Sequence, residues 1–290
     1  MFYKDNLYKE IDKDRAAHKK KPLKDRDDDG THGSGDGEET KEIKASDVDP
    51  DSGWFHRGEQ KSVFAYNAQT ACDKNGWILD YTIPPGNLHD SRNFYSLYEN
   101  LRKYEPEMIV ADAGYKTPAI AKLLLDEGIE PLLSYKRPMT KEGFFKKYEY
   151  VYDEKYDWYI CPNNCTLEYC TINREGYREY KSCSEDCEYL NHCTHSKEHV
   201  KLVTRHIWED YLEQVEDIRY RIGSKEIYKQ RKECIERLFG TAKEYHRMRY
   251  TCMIGKARMR MKVRLTYACM NLKKLIKMLQ IRDERAVICA

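Results

Sequence analysis

One stretch of the chain, residues 224–249 (SKEIYKQRKECIERLFGTAKEYHRMR), constrains the fold more than any other, because its apolar residues recur with the spacing of one helix face. Ser224 is a suitable N-cap, and no proline interrupts the run. The opposite face carries residues three or four positions apart that form one stripe: Lys229, Lys232, Glu236, Gly240, Lys243 and Arg247. A single carboxylate in a basic row favours a metal ion next to a polyanion, whereas the alternative is a solvated face whose charges pair along the helix.

The composition of the 290 residues, 40% hydrophobic and 34% charged, indicates a globular protein of one large or two smaller domains. No apolar run approaches the ~20 residues that span a bilayer, so no membrane partner is expected. The start of the chain has no apolar segment typical of a secretory signal. We therefore expect a cytoplasmic protein whose 11 cysteines are buried thiols or metal ligands, not disulfides.

Positive charge is concentrated near the end of the chain, where residues 221–274 contain 16 Lys and Arg against 4 Glu. Such a block favours a polyanionic partner, and the alternative is a basic helical surface without a partner. Residues 223–282 are predicted to supply the helices that complete the core. The last of these helices is predicted to pack through the following apolar residues: Leu265, Ala268, Cys269, Leu272, Leu275, Ile276 and Leu279.

The first segment, residues 1–45, is predicted to be disordered or a linker, and the alternative at its start is a short helical end before the linker. Its basic, acidic and Gly-rich runs cannot bury enough apolar surface to offset the loss of chain entropy on folding. Residues 46–137 are predicted to form the first part of an α/β core. It begins with two apolar strands, 62–71 and 77–83, on either side of an Asn-Gly turn that is typical of a β-hairpin.

A βαβ unit is predicted next, from a strand at 108–111, a helix that begins at Thr117 and a strand at 129–135. Asp112 directly follows the first of these strands. Binding sites of open α/β sheets form at the carboxyl ends of the strands, so Asp112 is a candidate site residue.

Residues 138–222 are predicted to be an insertion before the helix of Glu236, because they are rich in Tyr, Cys and charge and show little periodicity. Four cysteines have a spacing that favours a structural Zn²⁺ site: Cys161, Cys183, Cys187 and Cys193. Cys165 or His192 is an alternative ligand. Reduced free cysteines and oxidation-prone pairs are the alternatives to zinc.

Acidic residues from three separate elements are candidate ligands of divalent metal ions: one from residues 47–51 (DVDPD), where Asp47 and Asp49 are alternatives, together with Asp112 and Glu236. Carboxylates of this kind bind Mg²⁺ or Mn²⁺, and a pair of such ions can act in phosphodiester chemistry.

Several segments resemble the DDE transposases of bacterial insertion sequences. They are DPDSGWFHRGE (49–59), FAYNAQTACD (64–73), PPGNLHDS (84–91), ADAGYK (111–116), CPNN (161–164), NREGYREYKS (173–182) and, most specifically, YKQRKECIERLFGTAKEYHRMRY (228–250). The resemblance implies a ribonuclease-H-like α/β fold, a mixed sheet flanked by helices, with the Cys-rich insertion before the last catalytic helix. It also implies metal-dependent cleavage and strand transfer of DNA phosphodiesters.

By this resemblance, Asp49, Asp112 and Glu236 are the metal-binding catalytic triad, and Lys243 contacts phosphate near the cut. The residues expected to contact DNA are Lys243, Arg231, Lys232, Lys229, Arg247, Tyr228 and His89. Lys232 is an alternative to Arg231, and the alternative role of His89 is to cap the helix that follows it.

The implied partner is double-stranded DNA, both transposon ends and target, bound at the nucleoid and with a homodimer on the DNA as an expectation. The N-terminal helical DNA-binding region of the family has no counterpart here, so the chain is expected to be N-terminally truncated. The alternatives are a ribonuclease-H-like nuclease without strand transfer and an inactive DNA-binding fragment.

Overall fold

The computed structural model describes residues 2–23, 44–56, 62–136, 140–183 and 187–288. Contacts divide the chain into two compact units. The first unit comprises residues 1–36 and 135–214, and the second comprises residues 37–134 and 215–290. Among the residues described, none of the helices combines the length and the apolar character that a membrane crossing requires.

The described chain alternates short strands with helices of very different length. The helices are α1 Phe2–Ala17, α2 Asp90–Leu101, α3 Pro118–Asp126, α4 Leu190–Cys193, α5 Glu209–Tyr220, α6 Ser224–Tyr245 and α7 Lys256–Ile288. The strands are β1 Gly53–Phe55, β2 Val63–Ala65, β3 Gln69–Cys72, β4 Ile78–Thr82, β5 Met108–Ala111, β6 Glu130–Leu133, β7 Val151–Asp153, β8 Trp158–Ile160, β9 Thr166–Ile172, β10 Tyr177–Cys183 and β11 Val200–His206.

The first unit is built on a five-stranded antiparallel sheet in the order β11-β10-β9-β8-β7. Each strand pairs with its sequence neighbour in antiparallel register, and the connection between β10 and β11 contains α4. Side chains from all five strands or their ends meet in one hydrophobic cluster: Tyr150, Tyr159, Leu167, Tyr180 and Val203. Burial of three Tyr rings in this cluster explains why the segment folds although its sequence lacks helical or regular strand periodicity.

Helix α1 also belongs to the first unit, and the prediction of a disordered segment or linker is wrong for this part of residues 1–45. Leu7 and Ile11 lie one helical turn apart and are buried with Ile172 and Trp208. The charged residues of α1 conceal this apolar pair in the sequence. Residues 24–43, also predicted to be a linker, lie outside the described residues.

The second unit contains the predicted hairpin, formed by β3 and β4 in antiparallel register. The carboxylate of Asp73 accepts hydrogen bonds from the backbone N–H groups of Asn75 (3.0 Å) and Trp77 (2.7 Å), and Gly76 has a φ of +79°. This turn chemistry fixes the hairpin. The first predicted strand is divided, because residues 66–68 separate β2 from β3.

The βαβ unit is present, with β5 and β6 paired in parallel and α3 between them. Thr117 caps α3 by accepting a hydrogen bond from the N–H of Ile120 (3.4 Å), and Pro118 occupies the first turn. Helices α2 and α3 share a cluster with the start of β6: Phe94, Tyr98, Ile120, Leu124 and Ile129. This packing holds the carboxyl end of β5, which carries Asp112.

The prediction of a mixed α/β chain is confirmed, whereas the ribonuclease-H-like arrangement stays a prediction. Within the described part of the second unit, the strands pair as three two-stranded sheets, β1-β2, β3-β4 and β5-β6. Helix α6 packs against β4 and α7 through a further cluster: Ile78, Ile83, Leu238, Ala242, Met259, Val263 and Tyr267.

The predicted packing face of α7 is wrong. The buried apolar residues of the described helix are Met259, Val263 and Tyr267, which recur every four positions, and Thr266 is buried beside them. Leu265 and Leu272, both predicted to pack, are 60% and 57% exposed. The apolar residues of α7 are distributed over several of its faces, so the sequence alone does not show which face contacts α6.

Candidate functional site

Asp112 lies where β5 ends and a short 3₁₀ turn, Ala113–Tyr115, begins. Its Oδ1 accepts a hydrogen bond from the N–H of Gly114 (3.0 Å), which stops the strand and fixes the carboxylate. A Cβ on Gly114 would lie 3.2 Å from Oδ1 of Asp112 and 3.5 Å from Oδ2 of Asp90. Two carboxylates therefore border the same small space, and the glycine keeps it open.

Asp90 is a further candidate site residue, which the sequence analysis does not single out. Its Oδ1 accepts hydrogen bonds from the side-chain amides of Asn67 (2.5 Å) and Gln69 (3.2 Å). Gln69 is 3% exposed, and its Oε1 accepts a hydrogen bond from Asn93 (2.8 Å). The available signal was the set of amides at positions 67, 69 and 93, because buried amides need hydrogen-bond partners.

The two carboxylates change the titration of the neighbouring phenol. Burial, followed by the charges of Asp90 and Asp112, raises the pKa of Tyr115 well above its usual value, so this hydroxyl stays protonated at neutral pH. Two carboxylates in one place repel each other, and a cation between them would relieve that repulsion. Carboxylate oxygens are also the ligands that Mg²⁺ prefers.

Helix α6 reaches the end of β5 through Arg231. The guanidinium of Arg231 lies 3.8 Å from Oδ2 of Asp112 and 5.6 Å from the ring centre of Tyr228. Arg231 precedes the buried Leu238 by seven residues, about two helical turns, and so it shares the inward face of α6. The structure therefore places Arg231, a predicted DNA-binding residue, next to Asp112, a predicted catalytic residue.

Asp49 contacts the turn between α6 and α7. Its Oδ1 accepts a hydrogen bond from the hydroxyl of Tyr66 (2.5 Å), and its Oδ2 accepts one from the N–H of Gly255 (2.9 Å). Burial and the hydrogen bond to Asp49 raise the pKa of Tyr66 above its usual range. Asp47, the alternative first acid, is exposed.

Glu236 is exposed on α6, and within the described residues it makes no hydrogen bond or ion pair. It precedes the buried Leu238 by two residues, which turns it about 160° away from the inward face. The structure therefore does not bring Glu236 to Asp49 or Asp112. Within the described ranges, no three His, Cys, Asp or Glu side chains lie close enough together to hold a metal ion. The carboxylates fit Mg²⁺ in chemistry but are not gathered into a preformed site.

The remaining predicted DNA-binding residues lie on or next to α6. Lys229, Lys232 and Lys243 are exposed on the helix, and Arg247 is exposed just after its end. His89 caps α2, because its Nδ1 accepts a hydrogen bond from the N–H of Ser91 (3.3 Å). Contacts of these residues with DNA stay predictions.

Four cysteines of the first unit line one pocket. It is lined by Cys161, Cys165, Leu167, Ser182, Cys187, Leu190, Cys193, His199 and Lys201. Burial, followed by the charges of the other three thiols, raises the pKa of Cys165. His192, an alternative zinc ligand, is exposed and bonds the carbonyl of Gly143 through Nδ1 (2.8 Å). The side chain of Cys183 lies outside the described residues.

Comparison with known families gives a match over part of the chain. Residues 160–276 match the family model of the transposase DDE domain. The match supports a DDE-type transposase catalytic domain in this segment. The matched segment includes the thiol pocket and all of α6, with Glu236, whereas Asp49 and Asp112 precede it. Neither the curated proteins nor the solved structures gave a match.

Proposed function

We propose that the chain is the catalytic core of a DNA transposase that cleaves and joins DNA phosphodiesters with the help of divalent metal ions. The match to the transposase DDE domain carries this proposal. Further support comes from the contacts of the two aspartates with the matched segment, since Asp112 contacts Arg231 of α6 and Asp49 contacts Gly255.

In this proposal Asp49, Asp112 and Glu236 hold Mg²⁺ or Mn²⁺. When bound, such ions activate an attacking oxygen and stabilise the leaving one. The N–H of Gly114 and the hydroxyl of Tyr66 orient the two aspartates, while the guanidinium of Arg231 reduces the negative charge at Asp112. Without this guanidinium, the negative charge of Asp112 would repel a DNA phosphate that approaches it.

The exposed cations of α6 suit the backbone of double-stranded DNA, at transposon ends and at the target. Lys229, Lys232 and Lys243 lie on one stripe of the helix, so a single duplex can contact them together. We propose binding at the nucleoid in the cytoplasm, with a ribonuclease-H-like arrangement of the catalytic core and a homodimer on the DNA.

The variant Glu236→Gln tests the proposal. Its DNA cleavage is measured in the presence of Mg²⁺, on a duplex that contains the chromosomal sequences on both sides of the reading frame. We expect DNA cleavage to fall by about 100-fold or more. DNA binding should be kept or strengthened, because a negative charge that faces phosphate has gone. The matched control is Glu233→Gln, which removes the same charge from an exposed position of the same helix. Equal cleavage by both variants and the unchanged chain would overturn the proposal.

A second candidate function is DNA binding without catalysis. It is favoured because, over the ranges that the structure describes, three acids do not lie close enough to share an ion. The products separate the candidates. Joined DNA indicates a transposase, DNA that is only cut indicates a nuclease, and bound but intact DNA indicates a binding fragment.

A further inference from the structure

We propose that Cys161, Cys165, Cys187 and Cys193 form a structural Zn²⁺ site in the first unit. The inference does not depend on the proposed transposase activity. It differs from the ligand set predicted from the spacing, because Cys165 takes the place of Cys183. Four thiolates favour tetrahedral zinc over the harder ions that would act at carboxylates.

The first ligand pair comes from the turn between β8 and β9. The N–H of Cys161 donates to the carbonyl of Cys165 (2.9 Å), and the N–H of Asn164 donates to the carbonyl of Cys161 (2.9 Å). Asn164 adopts a φ of +57°, a value at which asparagine is better tolerated than most residues. This tight turn presents two cysteines from one end of a hairpin.

The second ligand pair flanks the short helix α4. Cys193 is its last residue, and the carbonyl of Cys187 accepts a hydrogen bond from the N–H of Leu190 (3.1 Å), the first residue of α4. The side-chain amide of Asn163 donates to Sγ of Cys187 (3.4 Å). Asn163 belongs to the β8–β9 turn, so this bond joins the two ligand pairs.

Polar groups surround the sulfur atoms, as they do around metal thiolates, and Sγ of Cys165 donates to the carbonyl of Asn163 (3.6 Å). Cys161 Sγ accepts a bond from the N–H of Cys165 (3.3 Å), and Cys193 Sγ lies 3.6 Å from the hydroxyl of Tyr150. Lys201 lines the same pocket and donates to the carbonyl of Cys193 (2.8 Å).

The pocket also contains a polar atom that the described residues leave unsatisfied. Nδ1 of His199 is buried there and has no hydrogen-bond partner among them. Buried nitrogens of this kind usually have a partner, so an ion or its ligands nearby would account for it.

The four thiols line one pocket, but their sulfur atoms are not close enough together to bind a single ion. In the ranges covered by the structure, no three potential ligands are close enough to share an ion. Zinc binding must therefore draw the β8–β9 turn and the α4 segment together. A direct consequence is that zinc should stabilise the first unit, because the ion joins segments that are more than twenty residues apart in sequence.

The test is the zinc content of the full chain purified with Zn²⁺ supplied, measured by inductively coupled plasma mass spectrometry. We expect about one zinc per chain. Serine variants of each of the four cysteines should lose most of it. The matched control Cys170→Ser changes a half-buried cysteine of the same sheet that does not line the pocket, and it should keep its zinc.

Cobalt substitution of the unchanged chain keeps the proposal testable even if the serine variants do not fold. Co²⁺ bound by four thiolates gives intense sulfur-to-cobalt charge-transfer bands together with the visible bands of tetrahedral cobalt. Those bands would support the site. A chain without stoichiometric zinc, a cobalt spectrum without charge-transfer bands, or equal zinc loss by Cys170→Ser would overturn it.

Discussion

Asp90 is the residue whose role the structure changes most. Its carboxylate lies with that of Asp112 around Gly114, and the side-chain amides of Asn67 and the buried Gln69 hold its orientation. The variant Asp90→Asn keeps the size of the side chain but removes its charge. We expect metal-dependent DNA cleavage to fall by about tenfold or more, measured as initial rate against Mg²⁺ concentration, with a higher concentration needed for half-maximal rate.

The control for Asp90 is Asp126→Asn, which makes the same change at an exposed position of α3. Its cleavage rate and its Mg²⁺ dependence should match those of the unchanged chain. If Asp90→Asn behaves like this control, the carboxylate next to Asp112 serves the fold and not the reaction.

His206 makes the stability of the first unit depend on pH. It is 3% exposed, and burial lowers its pKa from 6.5 to about 4. Nδ1 accepts a hydrogen bond from the N–H of Trp208 (3.0 Å), and Nε2 lies 3.1 Å from the carbonyl of Glu175, so the neutral ring is held at both nitrogens.

The unfolded chain therefore binds a proton at His206 more readily than the folded chain between pH 6.5 and pH 4. The stability that this histidine contributes is complete above pH 6.5 and is lost as the pH falls through this window. We expect a loss of about 2 kcal/mol between pH 7 and pH 5, measured by urea unfolding. His206→Gln should reduce this dependence, whereas the same change at the exposed His195 should leave it unchanged.

At the scale of the element, α1 shows how a helix can contribute to a core with only two apolar side chains on one turn. Ile11 is fully buried against the first unit, whereas Lys13 on the same helix is exposed. The variant Ile11→Ala should lower the free energy of unfolding by about 2–4 kcal/mol, because it leaves a cavity under the helix. Urea unfolding followed by circular dichroism measures this loss. Lys13→Ala should change it by less than about 0.5 kcal/mol, and an equal effect of the two variants would contradict the packing of α1.

Elements with strong local signals could be predicted from the sequence. The hairpin turn at Asn75-Gly76 and the cap at Thr117-Pro118 are fixed by residues within a few positions of each other. The packing of α1 and the buried face of α7 could not be predicted, because both depend on partners far away in sequence. Local chemistry sets where an element begins, and tertiary contacts set which of its faces is buried.

In the candidate site, too, some residues could be predicted from local sequence and others could not. Asp112 could be predicted because the carboxyl end of a strand is a general place for functional side chains. Asp90 could not, since an acid at the start of a helix is ordinary as a cap and becomes notable only when Asn67 and Gln69 are seen to hold it. For Glu236 the sequence predicts a role, while the structure shows an exposed side chain.

At the scale of the whole molecule, positive charge is concentrated on α6 and α7 although the net charge of the chain is only +2. If DNA binds along this surface, the position of a lysine matters more than the total charge. Replacing Lys229, Lys232 and Lys243 together with Ala removes three exposed cations of one helix stripe, and Ala preserves the helix. The logarithm of the DNA association constant falls with the logarithm of salt concentration. We expect the magnitude of that slope to decrease by roughly 3, one for each phosphate that a lysine no longer neutralises.

The matched control replaces three exposed lysines of the first unit: Lys13, Lys141 and Lys197. Both triple variants have the same net charge, so a general attraction between chain and DNA is weakened equally in both. Fluorescence anisotropy of a labelled duplex, titrated at several salt concentrations, measures the slope for each. A change confined to the α6 variant locates the phosphate contacts on that helix. Equal changes would mean that the basic stripe is a solvated face, since diffuse charge without defined contacts responds to net charge alone.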